Sequence, residues 1–288
     1  MNIDFPYSSL SKSVLSVMAN AVVASARHLD IAHQSRSMLD IQVKSDKSMV
    51  LNLDVESQGI ILEKLGKTYP VIAEEDPQSH GLLTTACTYF TVDPLDGTTS
   101  CKRFLGHYGG QVGFGPLVGF VSDHRLTAVV FYSMPHRQLF VAVRGEGSYV
   151  ACFDSDFNLA EAPRKLSVVP CPDLSKAGML FFVSKHGEPR IVEYLKRMSA
   201  IENFYRFGSF ASDSARVAQS FEQIQLQLYA KAWDFPAVLI AAEAGCDVYC
   251  DPLGRRIPLE KWRMEPNNPI VILPAGTGSD FFAMIDRI

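Results

Sequence analysis

The sequence predicts a layered α/β protein forming one compact unit, with a β-rich first half and an alternating second half. Three observations carry this. Residues 89–150 hold closely spaced apolar, β-branched segments broken by Gly and Pro, the pattern of a meander. From residue 178 onward, short apolar segments alternate with helix-like ones, which pack as layers of sheet and helix. The 288 residues are 47% hydrophobic and 20% charged, enough for a substantial core. A polar stretch near 155–165 divides the chain into halves 1–160 and 161–288, with the site expected between them.

Each element has a local reason. Leu15, Met18, Val22 and Val23 fall at helical spacing, so residues 9–33 read as an amphipathic first helix. "LDVESQGIILEKLG", about 53–66, reads as a second. Between them "VKSDKSMVLNL" carries turn chemistry at Ser45-Asp46-Lys47-Ser48. "PVIAEED" is predicted to be a short buried strand ending in acids, and "YFTVD" another. "GGQVGFGPLVGFVSD", "LTAVVFYSMP" and "QLFVAVRGEGSYV" complete the meander. In the second half "GMLFFVSK", "NFYRFGS", "IQLQLYA" and "PIVILPAG" read as strands. "EPRIVEYLKRM" reads as a helix with Pro at its start. So do "FASDSARVAQSF" and "DFPAVLIAAEAG", the last ended by Gly245.

Composition excludes several classes. The net charge is −4 and no Lys/Arg run exceeds two residues, so a nucleic-acid polymer is not expected as a partner. None of the six cysteines forms a CxxC pair; reduced thiols of a cytoplasmic protein are the expectation. "VLSVMANAVVASA" resembles the apolar part of a signal peptide, but Ser16, Asn20 and Ser25 interrupt it, and the helical reading is preferred. No apolar stretch reaches the ~18 residues needed to span a membrane, so no membrane partner is expected.

The chemistry gathers in four acidic clusters at element ends: Asp54, Glu74-Glu75-Asp76, Asp93 with Asp96, and Asp234. Each alone has a plain explanation as a helix cap or solvated turn. Together they lie where α/β layers bind ligands. Converging carboxylates raise one another's pKa unless a cation neutralises them. Hard oxygens of this kind suit Mg²⁺, which also takes phosphate as a ligand. Gly97-Thr98-Thr99 follows at once and offers backbone N–H groups at a helix start, a phosphate cradle. The haloacid-dehalogenase motif Asp-x-Asp-Gly-Thr is one residue shorter than the Asp-x-x-Asp-Gly-Thr found here, and does not fit.

"DPLDGTT" (93–99), "AEED" (73–76) and "WDFPAVLIAAEAG" (233–245) resemble the three signatures of the inositol monophosphatase superfamily. "KSDKSMVLNLD", "SMPHRQLFVAVRGEGSY" and "RFGSFASDSARVAQ" resemble further family segments, so the resemblance runs nearly the whole length. It implies a layered αβαβα sandwich of the sugar-phosphatase type, a homodimer, lithium sensitivity, and two or three Mg²⁺ ions. It also implies metal ligands at Glu74, Asp93, the Leu95 carbonyl, Asp96 and Asp234. Asp54 and Thr98 would orient the attacking water. Gly97, Thr98 and Thr99 would hold the phosphate, with Gly208, Ser209 and Gln227 beside the rest of the substrate. Gln227, seven residues before Asp234, replaces the acid of the inositol enzymes, and Ser100 stands where Asn or Glu is commoner.

The resulting expectation is a Mg²⁺-dependent phosphomonoesterase. Its substrate would be a small sugar, polyol or nucleotide phosphate, hydrolysed by in-line attack of a metal-activated water. The competing expectation is a non-catalytic binding protein for phosphorylated metabolites on the same scaffold.

Overall fold

The computed structural model describes residues 3–34, 41–43, 49–105, 113–182, 196, 201–228, 230–249 and 270–285. The predicted turn at 45–48 and most of the predicted helix at 188–198 lie outside the described residues.

Helix α1 (Ser9–Gln34) and helix α2 (Asn52–Leu65) form the first layer, flanking the antiparallel pair β1 (Ile41–Val43) and β2 (Met49–Leu51). Beneath them lies a seven-stranded sheet in the order β3 (Val71–Ala73), β4 (Tyr89–Asp96), β5 (Gly115–Ser122), β6 (Arg125–Ser133), β7 (Gln138–Val143), β8 (Gly147–Cys152), β9 (Arg164–Lys165). Only β3 and β4 pair in parallel; the rest is the predicted meander. Side chains alternate as a strand requires. In β6, Ala128, Val130 and Tyr132 join Met18, Val22 and Leu29 of α1, while Val129 and Phe131 join the core on the other face. Both faces are covered, so the strands read as continuous apolar runs.

That second core holds the next layer: helix α4 (Phe210–Ala218), a 3-10 turn (Phe235–Ala237) and the short helix α5 (Val238–Ala242). Helix α3 (Thr98–Leu105) follows β4 directly. The fourth layer is a five-stranded sheet in the order β11 (Asn203–Tyr205), β10 (Gly178–Phe182), β12 (Ile224–Gln227), β14 (Ile270–Pro274), β13 (Cys246–Tyr249). Its outer face packs with Phe281 of helix α6 (Gly278–Ile285). The result is the layered sandwich expected from the sequence. Strand β13 and helix α6 were not anticipated, and the segment 235–242 is part 3-10 turn, where one continuous helix had been expected.

One expectation about α1 needs correction. Over Lys12–Gln34 the helix is, by length and average composition alone, long and apolar enough to cross a membrane; half of its most apolar window is buried inside the molecule. Counting uninterrupted apolar residues had missed this, because Ser, Asn and His are diluted in the average.

The β7–β8 turn is fastened from two directions. Tyr7 donates its hydroxyl to the Val141 carbonyl at 2.8 Å, and the Ser8 N–H donates to Glu146 Oε2 at 2.7 Å. From the other side, Glu243 accepts the N–H groups of Gly145 and Gly147, at 2.8 and 3.0 Å.

Candidate metal and phosphate site

A bulge in β4 brings the first two carboxylates together. In a regular strand, residues three apart face opposite sides. Here Asp93 lies opposite Leu117, and Asp96 opposite Gly115, so three steps along β4 match two along β5. The extra residue is that of a bulge, and Pro94, with no N–H to offer a ladder, suits the interruption. The Leu95 N–H turns in and donates to Asp93 Oδ1 at 2.9 Å.

Asp234 completes the group from the second half of the chain. Carboxylate oxygens of Asp93, Asp96 and Asp234 lie within 4.8 Å of one another. Asp234 makes no side-chain cap bond to the turn it precedes; its Oδ2 accepts the Lys231 N–H at 2.8 Å. Asp93 is 2% exposed and Asp96 6%. Burial, and then the charges of Glu74, Asp96 and Asp234, push the Asp93 carboxyl well above the usual carboxylate range. Burial, and then Asp96 and Glu74, do the same to Asp234. Glu74 therefore belongs to the group electrostatically. Its own N–H is anchored on the Val92 carbonyl of β4 at 3.0 Å.

Asp96 differs from the other two. Burial raises its pKa, but four donors at the start of α4 pull it back, Ser209 first. Ser209 Oγ donates to Asp96 Oδ2 at 2.6 Å and the Ala211 N–H at 2.7 Å, while the Phe210 N–H reaches Oδ1 at 3.1 Å. An ionised carboxylate offers roughly four lone pairs, so these three short bonds leave capacity on Oδ1. The set fits a hard divalent cation: oxygen donors only, negative, and crowded enough that ionisation is costly without a counter-charge.

The Gly-Thr turn adjoins this group. Gly97 has φ +90°, and a Cβ there would come 2.8 Å from Ser209 Cβ. Only glycine lets β4 pass this close to the start of α4. Gly97→Ala is expected to cost roughly 1–3 kcal/mol, measured as a lower urea midpoint; an unchanged midpoint would show that α4 gives way freely. Thr98 opens α3, and its hydroxyl lies 3.3 Å from both Asp54 Oδ1 and the Leu95 carbonyl. Asp54 is 1% exposed and stands within the first turn of α2, two residues past its start. Gly97 and Thr98 are half-buried and Thr99 is exposed, so the turn is open to solvent. Ser100 donates to the Phe207 carbonyl at 2.8 Å, tying α3 to the strand end that leads into Gly208 and Ser209. That gives the unusual Ser100 a structural use.

Gln227 ends β12, buried at 3% exposure, between Phe182 and Ile270 in the sheet. Asp213 was not anticipated. It sits buried in the first turn of α4, and among the described residues its Oδ1 has no hydrogen-bond partner. Burial, then Asp96 and Glu222, hold it well above the carboxylate range against the pull of Arg216. The sequence signal was an acid in the midst of small residues, on a helix that had to pack closely.

Comparisons with known proteins agree with this architecture. Residues 11–272 match the family described as the inositol monophosphatase family. Nus factor SuhB of Pasteurella multocida is 28% identical over 243 residues, covering 81% of this chain and 85% of that protein. The crystal structure of extragenic suppressor protein suhB from Bartonella henselae superposes with a TM-score of 0.75 at 22% identity, covering 96% and 99% of the two chains. The Thermotoga maritima IMPase superposes with a TM-score of 0.70 at 16% identity, covering 96% and 97%. The SuhB relatives carry the name Nus factor. That name overturns the expectation that excluded a nucleic-acid polymer as a partner: a mildly acidic net charge says nothing about a local surface.

Proposed function

The chain belongs to the inositol monophosphatase family, and from that premise we propose that it is a Mg²⁺-dependent phosphomonoesterase acting on a small sugar, polyol or nucleotide phosphate. One observation carries the reading: three carboxylates with oxygens within 4.8 Å of one another stand beside a Gly-Thr helix start. Asp93, Asp96, Asp234, Glu74 and the Leu95 carbonyl would hold the metal. When bound, Mg²⁺ supplies positive charge to the phosphate and acidifies a neighbouring water. The Gly97–Thr99 N–H groups bind the phosphate oxygens and aim the phosphorus along the axis of attack. Thr98 Oγ1 accepts the water proton as it passes its own to Asp54 Oδ1. Gly208 and Ser209 border the leaving group.

Phosphate release with Mg²⁺ tests this. Activity is expected to vanish in EDTA and return with added Mg²⁺; full activity in EDTA would refute the metal role. In a panel of inositol monophosphate, adenosine 3′,5′-bisphosphate and fructose 1,6-bisphosphate, neutral Gln227 favours a bisphosphate as the substrate of highest kcat/KM. The name carried by the SuhB relatives favours a second reading, in which the scaffold binds a phosphorylated ligand without turnover. Absence of phosphate release from every compound, with binding retained, would select it.

A further inference from the structure

His80 joins two backbone segments, each leading directly into an acid of the group described above. It lies in the 3-10 turn Pro77–Thr84. Its Nε2 stands 3.0 Å from the carbonyl of Ala73, the residue before Glu74. A carbonyl only accepts, so Nε2 carries the proton. The same ring packs on the indole of Trp233, the residue before Asp234, with centroids 4.6 Å apart and planes tilted by 32°.

The neighbouring side chain strengthens this grip. Ser79 Oγ accepts the Ala73 N–H at 3.0 Å and donates to the Asp76 carbonyl at 2.6 Å. Ala73 is thus held at both its N–H and its carbonyl by one turn. The Ala73 carbonyl also accepts the Asp76 N–H at 3.2 Å, and Glu74 follows Ala73 directly in the chain. On the far side the contact is with a nearly buried indole, 9% exposed. Two carboxylates brought to one site repel each other, so their spacing needs a strut before a cation arrives. An octahedral Mg²⁺ site tolerates little error in that spacing.

We propose that His80 is a positioning residue for the metal site, setting the separation of Glu74 and Asp234 through Ala73 and Trp233. The inference rests on the reading of the acidic group as a metal site. Its test is the binding of Mn²⁺ alone to the metal-free full chain, followed by electron paramagnetic resonance, with Tm measured alongside. His80→Ala is expected to weaken Mn²⁺ binding by roughly 10–100-fold, the usual effect of losing a group that orients metal ligands. His80→Phe keeps a ring on Trp233, and His80→Gln keeps an N–H donor for Ala73; each is expected to recover part of the loss. These two also serve if the alanine variant fails to fold. Binding within twofold of wild type in His80→Ala, or in both other variants where the alanine variant does not fold, or a lowered Tm with unchanged Mn²⁺ affinity, would overturn the proposal and leave the metal reading standing. Failure of the wild-type chain to bind Mn²⁺ would overturn both.

Discussion

Asp93→Asn is expected to lower Mg²⁺-dependent phosphatase activity on the order of a thousandfold or more, while making the metal-free protein more stable. Under the proposed function, the first effect follows from losing a ligand whose charge would help hold the cation, worth several kcal/mol in the transition state. The second follows from electrostatics. Asp93 is buried, and burial and three neighbouring acids hold its carboxyl well above the ordinary range. The unfolded chain releases that proton near pH ~4. Between that pH and the higher folded pKa, the folded state holds more protons than the unfolded one. Stability therefore falls as pH rises through the window and stays low above it. Asn does not titrate, and its amide oxygen can still accept the Leu95 N–H, so the fall should be shallower in the variant. Thermal melts in EDTA from pH 4 to 8, repeated with Mg²⁺, measure both effects. A variant less stable than wild type in EDTA at pH 7, or stabilised equally by Mg²⁺, would contradict this account.

Thr98→Ala and Asp54→Asn should each lower kcat roughly 10²–10⁴-fold with folding preserved, and the double variant should be little worse than either. The two side chains lie 3.3 Å apart and in the proposed mechanism would form one proton path, so removing either part would remove the whole. The competing idea, that both merely cap helices, is weakened by position. Asp54 lies inside the first turn of α2, with Asn52 as the first helical residue. Cap loss costs about 1 kcal/mol and spares kcat. Near-normal kcat in both single variants, with a lowered Tm, would restore the capping role.

Much of this was legible in the sequence, for local reasons. The apolar spacing of Leu15, Met18 and Val22 marks α1, and the β-branched runs mark β5 to β8, because periodicity records which faces are buried. Asp93-Pro-Leu-Asp was readable as a meeting of acids but not as a bulge, since the register belongs to β5 as much as to β4. The three bonds from α4 to Asp96 span 113 to 115 residues of sequence, and nothing local announces them. Nothing local singles out His80, because its meaning depends on Trp233 coming to lie against it. Strand β13 was missed because it follows Gly245 at once, where the ending of a helix was the stronger signal.

The twofold fastening of the β7–β8 turn sets an order of events as the chain leaves the ribosome. Tyr7 and Ser8 are already made when the hairpin appears, so their bonds to Val141 and Glu146 can close at once. Glu243 comes 98 and 96 residues after the two glycines whose N–H groups it accepts. At usual synthesis rates it arrives roughly 5–20 s later. During that interval the turn is pinned at one face only, and the N–H groups of Gly145 and Gly147 must be satisfied by water. The nascent hairpin is then a place where a chaperone or a stray strand finds unpaired backbone, until helix α5 and Glu243 close over it.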